Sequence, residues 1–260
     1  MRSLGKIVLV CTLLFAVTVQ ANELPIPGTG DGVGVLSEIG KAFEQTTGVS
    51  VRVPKSIGSG GGVKAAGNDM TVLARVARGV KEKEKHFGLS YQPLFDVPTV
   101  FLVHQSLPVS NLSAQQILDI FAGKISNWKD VGGEDRAIFV VRREKGDSSL
   151  GNLSKTFPGF NHEMITDKAF TVPKTPNMVA QVQNRKYCIA FGPLDVALAN
   201  GLKVLKVDGK TPGDSGYPYY GTIGLVYKKE KLEGNAKQFL EFATSTAAHA
   251  AIRKAGGLPL

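Results

Sequence analysis

The sequence predicts an α/β fold in which a glycine-rich or polar turn leads into a helix three times. Apolar, β-prone runs alternate with segments of helical spacing along the chain, which is the pattern of α/β domains. The three turns lie at residues 28–34, 56–64 and 143–149. A turn of this kind directs backbone N–H groups and the positive end of a helix dipole at one point, so it indicates anion binding.

The first 21 residues have the pattern of a secretory signal peptide. Arg2 and Lys6 give a basic start, residues 7–19 are mostly apolar, and cleavage is predicted after Ala21. The apolar run is shorter than the roughly 20 residues that a membrane span needs. We therefore expect an exported protein that keeps 239 of its 260 residues.

The charge and cysteine content narrow the class of partner. Removing residues 1–21 lowers the net charge from +9 to +7, because two basic residues and no acid are lost, and a basic chain favours anionic partners. An exported chain without a basic and aromatic stripe is a poor candidate for binding nucleic acid. Cys188 is the only cysteine of the mature chain and is predicted to be a buried thiol, and the histidines lack metal-ligand spacing, so we expect neither metal nor cofactor.

The first two turns each precede a predicted helix. The turn at residues 28–34 leads into a helix over residues 36–46, but Val33 occupies a position where the dinucleotide fingerprint needs glycine. The turn at residues 56–64 follows an apolar run at residues 49–53 and offers the Ser59 hydroxyl. A flexible Gly/Ser loop is the other interpretation of this second stretch alone.

Between the second and third turns, the sequence predicts a short strand over residues 70–74, a helix over 81–87 and a strand over 97–104. A helix over residues 113–122 has Ser113 as its N-cap. Arg75 and Arg78 follow the short strand and point either into a cleft or into solvent.

The third turn follows an apolar strand at residues 137–141. Arg143 has the side chain best suited to hold an oxyanion through two parallel N–H bonds. Ser148 and Ser149 can supply hydroxyl and amide groups at a helix N-terminus. Ordinary capping by Asp147 or Ser148 is the alternative interpretation.

Together these segments resemble the phosphate-binding periplasmic receptors of ABC transporters, a family of bilobed solute-binding proteins. The resemblance is carried by Ile-Gly-Ser-Gly-Gly-Gly-Val-Lys at residues 57–64, Arg-x-x-Gly-x-x-Ser at 143–149 and Gly-Lys-Ile-x-x-Trp at 123–128. It covers essentially all of the mature chain. It implies a receptor without enzymatic activity, with phosphate as the expected ligand and other oxyanions or phosphorylated and carboxylated molecules left open.

The resemblance implies ligand groups from the first two turns. Gly32, with its neighbours Gly30, Asp31 and Val33, would contribute backbone N–H groups. Ser59 would contribute its hydroxyl and its amide.

In the third turn, the resemblance implies that Arg143 supplies the positive charge, while Ser148 and Ser149 supply amides and a hydroxyl. Asp147 stands where the family has a serine. It could accept the proton of a protonated oxyanion, or it could be an outward-facing cap.

The chain departs from the family in one further segment. The family's receptors carry Ser-Asp-Ala after the second helix, and the aspartate accepts the proton of hydrogen phosphate. Here Arg75 and Val76 occupy the serine and aspartate positions. Arg75 could therefore be a second ligand cation, and Arg78 a third.

The resemblance also predicts the domain organisation. Lobe 1 would comprise residues 22–100 plus 220–260, and lobe 2 residues 101–219, with crossing strands near residues 98–102 and 220–225. A ligand that binds the closed state better would shift the population towards closure. The expected partners are a small anion and an ABC permease at the inner membrane, and the receptor is expected to be a monomer.

Two other functions are alternatives to a transport receptor. Gly-Asp-Ser-Gly at residues 213–216 and the segment before His249 resemble serine-protease motifs, but their order is reversed and His249 lies in a helical pattern. A secreted sensor or interaction module with the same fold is the second alternative, because a fold does not determine a function.

Overall fold

The computed structural model describes residues 23–214 and 216–260, so the predicted signal peptide lies outside the described residues. In the described chain, helices α1 to α8 are Val33–Thr47, Gly58–Gly67, Ala114–Phe121, Ser148–Thr156, Thr175–Asn184, Leu194–Ala199, Gly234–Ala243 and His249–Lys254. Strands β1 to β12 are Glu23–Pro25, Ser50–Arg52, Ala74–Val76, Ser90–Val103, Asn111–Leu112, Phe139–Arg143, Phe170–Val172, Cys188–Pro193, Lys203–Val204, Lys206–Val207, Tyr220–Tyr227 and Leu258–Pro259. The predicted α/β class is confirmed.

The helices near the site begin where local chemistry predicts. Helix α1 starts at Val33, directly after Gly32, whose left-handed φ of 72° is accessible to glycine at little cost. The hydroxyl of Ser113 accepts a hydrogen bond from the N–H of Gln116 at 3.1 Å, which confirms its predicted role as the N-cap of α3. The segment predicted as a helix over residues 81–87 is instead a 3-10 helix, Glu82–Phe87.

Strand β4 is longer than the strand that the sequence predicts over residues 97–104. It begins at Ser90 and contains Pro93 and Pro98. Proline removes a ladder donor and is tolerated within sheets mainly at edges and bulges. The pairing of β4 with β11 shifts register at this point, so that Leu94 has no partner in β11. This bulge accommodates Pro93. Both Pro93 and Pro98 weaken the strand pattern in the sequence.

One sheet connects the two halves of the molecule through β4. Its strand order is β3-β11-β4-β8-β6-β7, and β9 and β12 also pair with β4. The first part of β4 pairs with β11, and its last part, Thr99 to Val103, pairs with β8. Strands β6 and β7 continue beyond β8 in parallel orientation.

The hydrophobic core divides along β4 in the same way. One buried cluster draws its residues from positions 100–219 and includes Trp128, whose indole N–H donates to the carbonyl of Tyr187 at 3.0 Å. Two further clusters draw theirs from positions 24–97 and 223–252. The fold therefore has two α/β lobes, and the turns that the sequence singles out lie between them.

Candidate anion-binding cleft

The three turns meet at one cleft of about 810 Å³ between the lobes. The turn before α1, the start of α2, the end of β6 with the start of α4, and the residues before α5 form its walls. Six of the predicted site residues line it: Gly30, Asp31, Ser59, Arg143, Asp147 and Ser148. Gly32, Arg75 and Ser149 are not part of this lining.

The start of α2 is open towards the cleft. Its N-cap residue, Ile57, makes no side-chain capping hydrogen bond, and its first turn is built from Gly58, Ser59, Gly60 and Gly61. The Ser59 hydroxyl accepts a hydrogen bond from the N–H of Ala77 at 3.1 Å, so its own hydrogen remains available to donate. Glycines leave the N–H groups of this turn accessible, as an anion site at a helix N-terminus requires.

Arg143 and Asp147 form the charged centre of the cleft. Arg143 ends β6, and its Nη2 lies 2.6 Å from Oδ2 of Asp147, with both side chains more than nine-tenths buried. The other carboxylate oxygen of Asp147 accepts the N–H of Leu150 at 3.0 Å and caps α4. The Nη1 of Arg143 contacts the hydroxyl of Thr175 at 3.4 Å, whereas its buried Nε–H has no partner within the described residues. A buried donor without a partner is costly, so this N–H indicates the position of a ligand.

The carboxyl group of Asp31 lies beside this centre. Burial, reinforced by the negative charge of Asp147, raises the pKa of Asp31 to about 8, although the nearby charge of Arg143 opposes the shift. The hydroxyl of Ser149 lies 3.5 Å from Oδ1 of Asp31. The backbone N–H of Asp31 donates to the hydroxyl of Thr29 at 3.3 Å, so the side chain, rather than the predicted N–H, is the group presented here.

Ser149 also differs from its expected place. Its side chain is 1% exposed and does not line the cleft. Because its hydroxyl is directed at Asp31, it supports that carboxyl group and is not positioned as a ligand itself.

Contacts across the cleft bring the two lobes close together. The hydroxyl oxygens of Ser59 and Ser148 lie 3.3 Å apart. Gly30 approaches Thr175 so closely that a Cβ at position 30 would lie 2.6 Å from the Thr175 hydroxyl oxygen. The glycine at position 30 is therefore required by the close approach of the lobes.

The N-terminus of α1 is not available to an anion, contrary to the role expected for Gly32. The carboxylate of Asp195, which lies in the first turn of α6, accepts the N–H of Gly34 at 2.9 Å, and the nearby N–H of Gly32 acts to lower the pKa of this carboxyl. Asp195 is 2% exposed, and burial raises its pKa to about 6 despite these N–H groups. A side chain of the protein thus occupies the place that the sequence assigns to a ligand.

Arg75 is likewise committed to the protein, which corrects the expectation that it is a second ligand cation. Its guanidinium is fully buried and donates to the carbonyls of Thr29 at 2.6 Å, Pro54 at 2.6 Å and Ile26. Burial lowers the pKa of Arg75 to about 10, which leaves it charged at neutral pH. Arg75 therefore fixes the turn before α1 instead of contacting the cleft.

Arg78 does line the cleft, but its charge is matched. Its two terminal nitrogens each lie 2.8 Å from an oxygen of Glu84. This bidentate pair anchors the segment before the 3-10 helix, since Glu84 also accepts the N–H of Lys81 at 2.9 Å.

Sequence reasoning missed two polar residues of this region, Thr175 and Asp195. Thr175 starts α5 just before Pro176, and Asp195 is the second residue after the apolar strand β8. Both positions have the ordinary pattern of a helix start. Thr175 and Asp195 differ from ordinary helix-capping residues only because they are buried between the lobes.

Other chemistries receive no support from the described residues. Within positions 23–214 and 216–260, no three His, Cys, Asp or Glu residues are grouped to hold a metal ion. No helix in this part of the chain is long and apolar enough to cross a membrane. Cys188 is buried, which raises the pKa of its thiol to about 12, in agreement with a structural thiol. Ser215, the serine of the protease-like motif, lies outside the described residues.

Comparison with known proteins identifies relatives along most of the chain. The phosphate-binding protein PstS of Bacillus subtilis is 27% identical over 221 residues, covering 81% of this chain and 71% of that protein. PstS of Borreliella burgdorferi is 21% identical over 214 residues, covering 77% of each.

A solved structure from Clostridium perfringens, assigned as a phosphate ABC transporter substrate-binding protein with bound phosphate, matches with a TM-score of 0.80. The two chains are 28% identical, and the match covers 92% of this chain and all of that one. Residues 18–247 match the family model of the PBP superfamily domain. Because the matched residues make up most of the 260-residue chain, the chain belongs to the PBP superfamily.

Proposed function

We propose that this chain is an exported receptor that binds phosphate in the cleft and delivers it to an ABC transporter. The observation that carries this proposal is the buried guanidinium of Arg143, whose Nε–H has no partner among the described residues and which lines the same cleft as the starts of α2 and α4. The relatives with the same fold are named as phosphate-binding and transport proteins, which supports a receptor over an enzyme.

A bound oxyanion would be held mainly by N–H and O–H donors. The first turns of α2 and α4 supply backbone N–H groups and the positive ends of two helix dipoles. Ser59 and Ser148 add hydroxyls from opposite lobes, and Arg143 adds its free Nε–H. Since Asp147 already balances the charge of Arg143, these dipoles carry much of the stabilisation.

Asp31 is the carboxyl group proposed to share one proton with the bound phosphate. The sequence leaves Asp147 open between this role and that of a cap, but both oxygens of Asp147 are engaged, one by Arg143 and one by the N–H of Leu150. Asp31 has a buried carboxyl group with a weak 3.5 Å contact to Ser149. One proton shared between this carboxyl and the ligand avoids two facing negative charges.

The remaining parts of the proposal concern the whole receptor. Lobe 1 comprises residues 22–100 plus 220–260, lobe 2 comprises residues 101–219, and the protein acts as a periplasmic monomer with an ABC permease as partner. N-terminal sequencing of the exported protein should find Asn22 as the first residue. Light scattering should give the mass of one mature chain, and loss of the gene should reduce phosphate uptake by the cell.

Replacing Arg143 tests the proposed site. We expect Arg143→Ala to weaken phosphate binding at least about 30-fold, or about 2 kcal/mol, because a charge-assisted donor is lost from a buried site. Isothermal titration calorimetry on the mature protein, stripped of ligand by partial unfolding, measures this change.

Arg142→Ala is the matched control. Arg142 is the neighbouring residue in β6, and its Nε–H donates to the Thr171 hydroxyl at 2.8 Å instead of facing the cleft. This variant should bind phosphate as the wild type does. If Arg143→Ala is folded by circular dichroism and retains wild-type affinity, the site assignment is wrong.

A further inference from the structure

The cleft is much larger than the ion proposed to bind at Arg143. Its volume is about 810 Å³, whereas a five-atom oxyanion fills roughly the space of three water molecules at about 30 Å³ each. A cleft of this size is typical of sites for larger small molecules. The chemistry of the rest of the lining therefore indicates what else the cleft can hold.

The rest of the lining is basic and draws on both lobes. Lys64 on α2, with Lys81 and Lys83 at the 3-10 helix, lines the cleft from one lobe, and Lys174 before α5 lines it from the other. All four side chains are exposed. None of them forms an ion pair within 4.0 Å in the part of the chain that the structure describes.

The segment that carries two of these lysines is held in place. Glu84 is 9% exposed. Its side chain accepts hydrogen bonds from both terminal nitrogens of Arg78 and from the backbone N–H of Lys81. Glu84 pairs with Arg78, and among the described residues it forms no ion pair with the side chain of Lys81 or Lys83. The lysines are thus presented at the cleft from an ordered support.

The acidic residues of the cleft leave an excess of positive charge at this end. Asp147 is paired with Arg143 at 2.6 Å, and burial favours the uncharged form of Asp31 near neutral pH. Glu144 remains as the one further lining carboxylate in the described chain, against four lysines. Such an imbalance attracts a ligand with more negative charge than a single oxyanion bears.

We propose that the cleft binds a diphosphoryl anion, with one phosphoryl group at Arg143 and the second among Lys64, Lys81, Lys83 and Lys174. This rests on the proposed function, because the first group occupies the same site as phosphate. Lysine holds phosphate as a flexible point charge, so four lysines can reach a second group without a rigid frame. The source of the diphosphoryl group is either inorganic pyrophosphate or an organic diphosphate.

The test compares three anions by calorimetry at low ionic strength: orthophosphate, pyrophosphate and a nucleoside diphosphate. Pyrophosphate should bind at least about tenfold more tightly than orthophosphate, equivalent to about 1.4 kcal/mol, and added salt should reduce this preference. Comparable binding of the nucleoside diphosphate would identify organic diphosphates as ligands, and weaker binding would point to pyrophosphate.

Variants locate the second group. Lys81→Gln combined with Lys83→Gln should remove most of the preference for pyrophosphate and leave orthophosphate affinity within about twofold, since a flexible surface charge is lost. Lys174→Gln, from the other lobe, should act in the same direction. Lys85→Gln is the control, because Lys85 lies on the same 3-10 helix, pairs with Glu82 at 2.8 Å and is outside the lining.

The outcomes separate this inference from the proposed function. Binding of orthophosphate without a preference for pyrophosphate would overturn the inference alone, as would a preference that survives in both lysine variants. Failure of every phosphate anion to bind the stripped wild-type protein would overturn both.

Discussion

At the scale of single residues, the proposed function makes the Asp31 carboxyl the group that distinguishes one oxyanion from another. Burial raises its pKa to about 8, which favours the protonated carboxyl in the free protein at neutral pH. In that form it can donate to any oxyanion, with or without a proton of its own. Once it loses this proton, only a ligand that brings a proton can face it without repulsion.

This gives a prediction about pH. As pH rises from about 6.5 to 9, sulfate affinity should fall at least about tenfold, because the Asp31 carboxylate then repels an ion with no proton to share. Phosphate affinity should fall much less, since hydrogen phosphate keeps a proton throughout this range. Calorimetry with both anions across the range measures the ratio of affinities.

Asp31→Asn provides the control for that experiment. The amide cannot ionise, so the fall in sulfate affinity with rising pH should disappear in this variant. Parallel pH profiles for phosphate and sulfate in the wild type would contradict the role of Asp31.

Individual residues show which parts of the cleft can be predicted from the sequence alone. Ser59, Arg143 and Ser148 line the cleft because each is fixed by a local strand, turn and helix start, which the sequence displays. Arg75 could not be placed in this way. Its role depends on three backbone carbonyls that converge from Ile26, Thr29 and Pro54, and nothing in the sequence shows that convergence.

At the scale of elements, the three helix N-termini that share one sequence pattern differ in whether a ligand can reach them. Those of α2 and α4 line the cleft. That of α1 is closed by Asp195, which comes from a helix more than 160 residues away in the chain. Local pattern predicts the helix starts, but the tertiary contact decides which of them can receive a ligand.

Asp195 should make the stability of the protein depend on pH. Its pKa is about 6 in the folded protein, above the value of 3.8 for an unperturbed carboxyl. The protonated Asp195 carboxyl therefore adds up to about 3 kcal/mol to the free energy of unfolding. This contribution is complete below about pH 4 and is lost as pH rises through about 6.

Urea unfolding of the wild type and of Asp195→Asn at pH 4 to 7 tests this. The wild type should lose stability relative to the variant as pH rises, because the amide has no charge to bury. Asp167→Asn, at a fully exposed carboxyl, should follow the wild type. A constant difference between the wild type and Asp195→Asn over this range would contradict the assignment.

At the scale of the whole molecule, the two lobes touch through small groups at the back of the cleft. Gly30 lies against Thr175, Ser59 lies 3.3 Å from Ser148, and Gly34 donates to Asp195. Each contact joins a residue of one lobe to a residue of the other. Affinity should therefore depend on how closely the lobes approach, as expected for a receptor that closes on its ligand.

Gly30→Ala tests this dependence. The added Cβ would lie 2.6 Å from the hydroxyl oxygen of Thr175, closer than atoms can pack, and 3.1 Å from that of Ser56, which is a tight contact. The lobes can relieve the clash by separating, which leaves each core intact. We expect at least about a tenfold loss of phosphate affinity, or 1.4 kcal/mol, and a larger radius of gyration in the presence of phosphate by small-angle X-ray scattering.

Gly151→Ala supplies the matched control, since a Cβ on this residue of α4 meets no atom within 4 Å. It should leave phosphate affinity unchanged and raise the stability by about 0.5–1 kcal/mol, the usual gain of alanine over glycine within a helix. If Gly30→Ala instead keeps its affinity, the clash is absorbed locally and closure of the lobes does not control binding. If it loses affinity only through global unfolding, thermal melting will show a large drop that the separation of two intact cores does not produce.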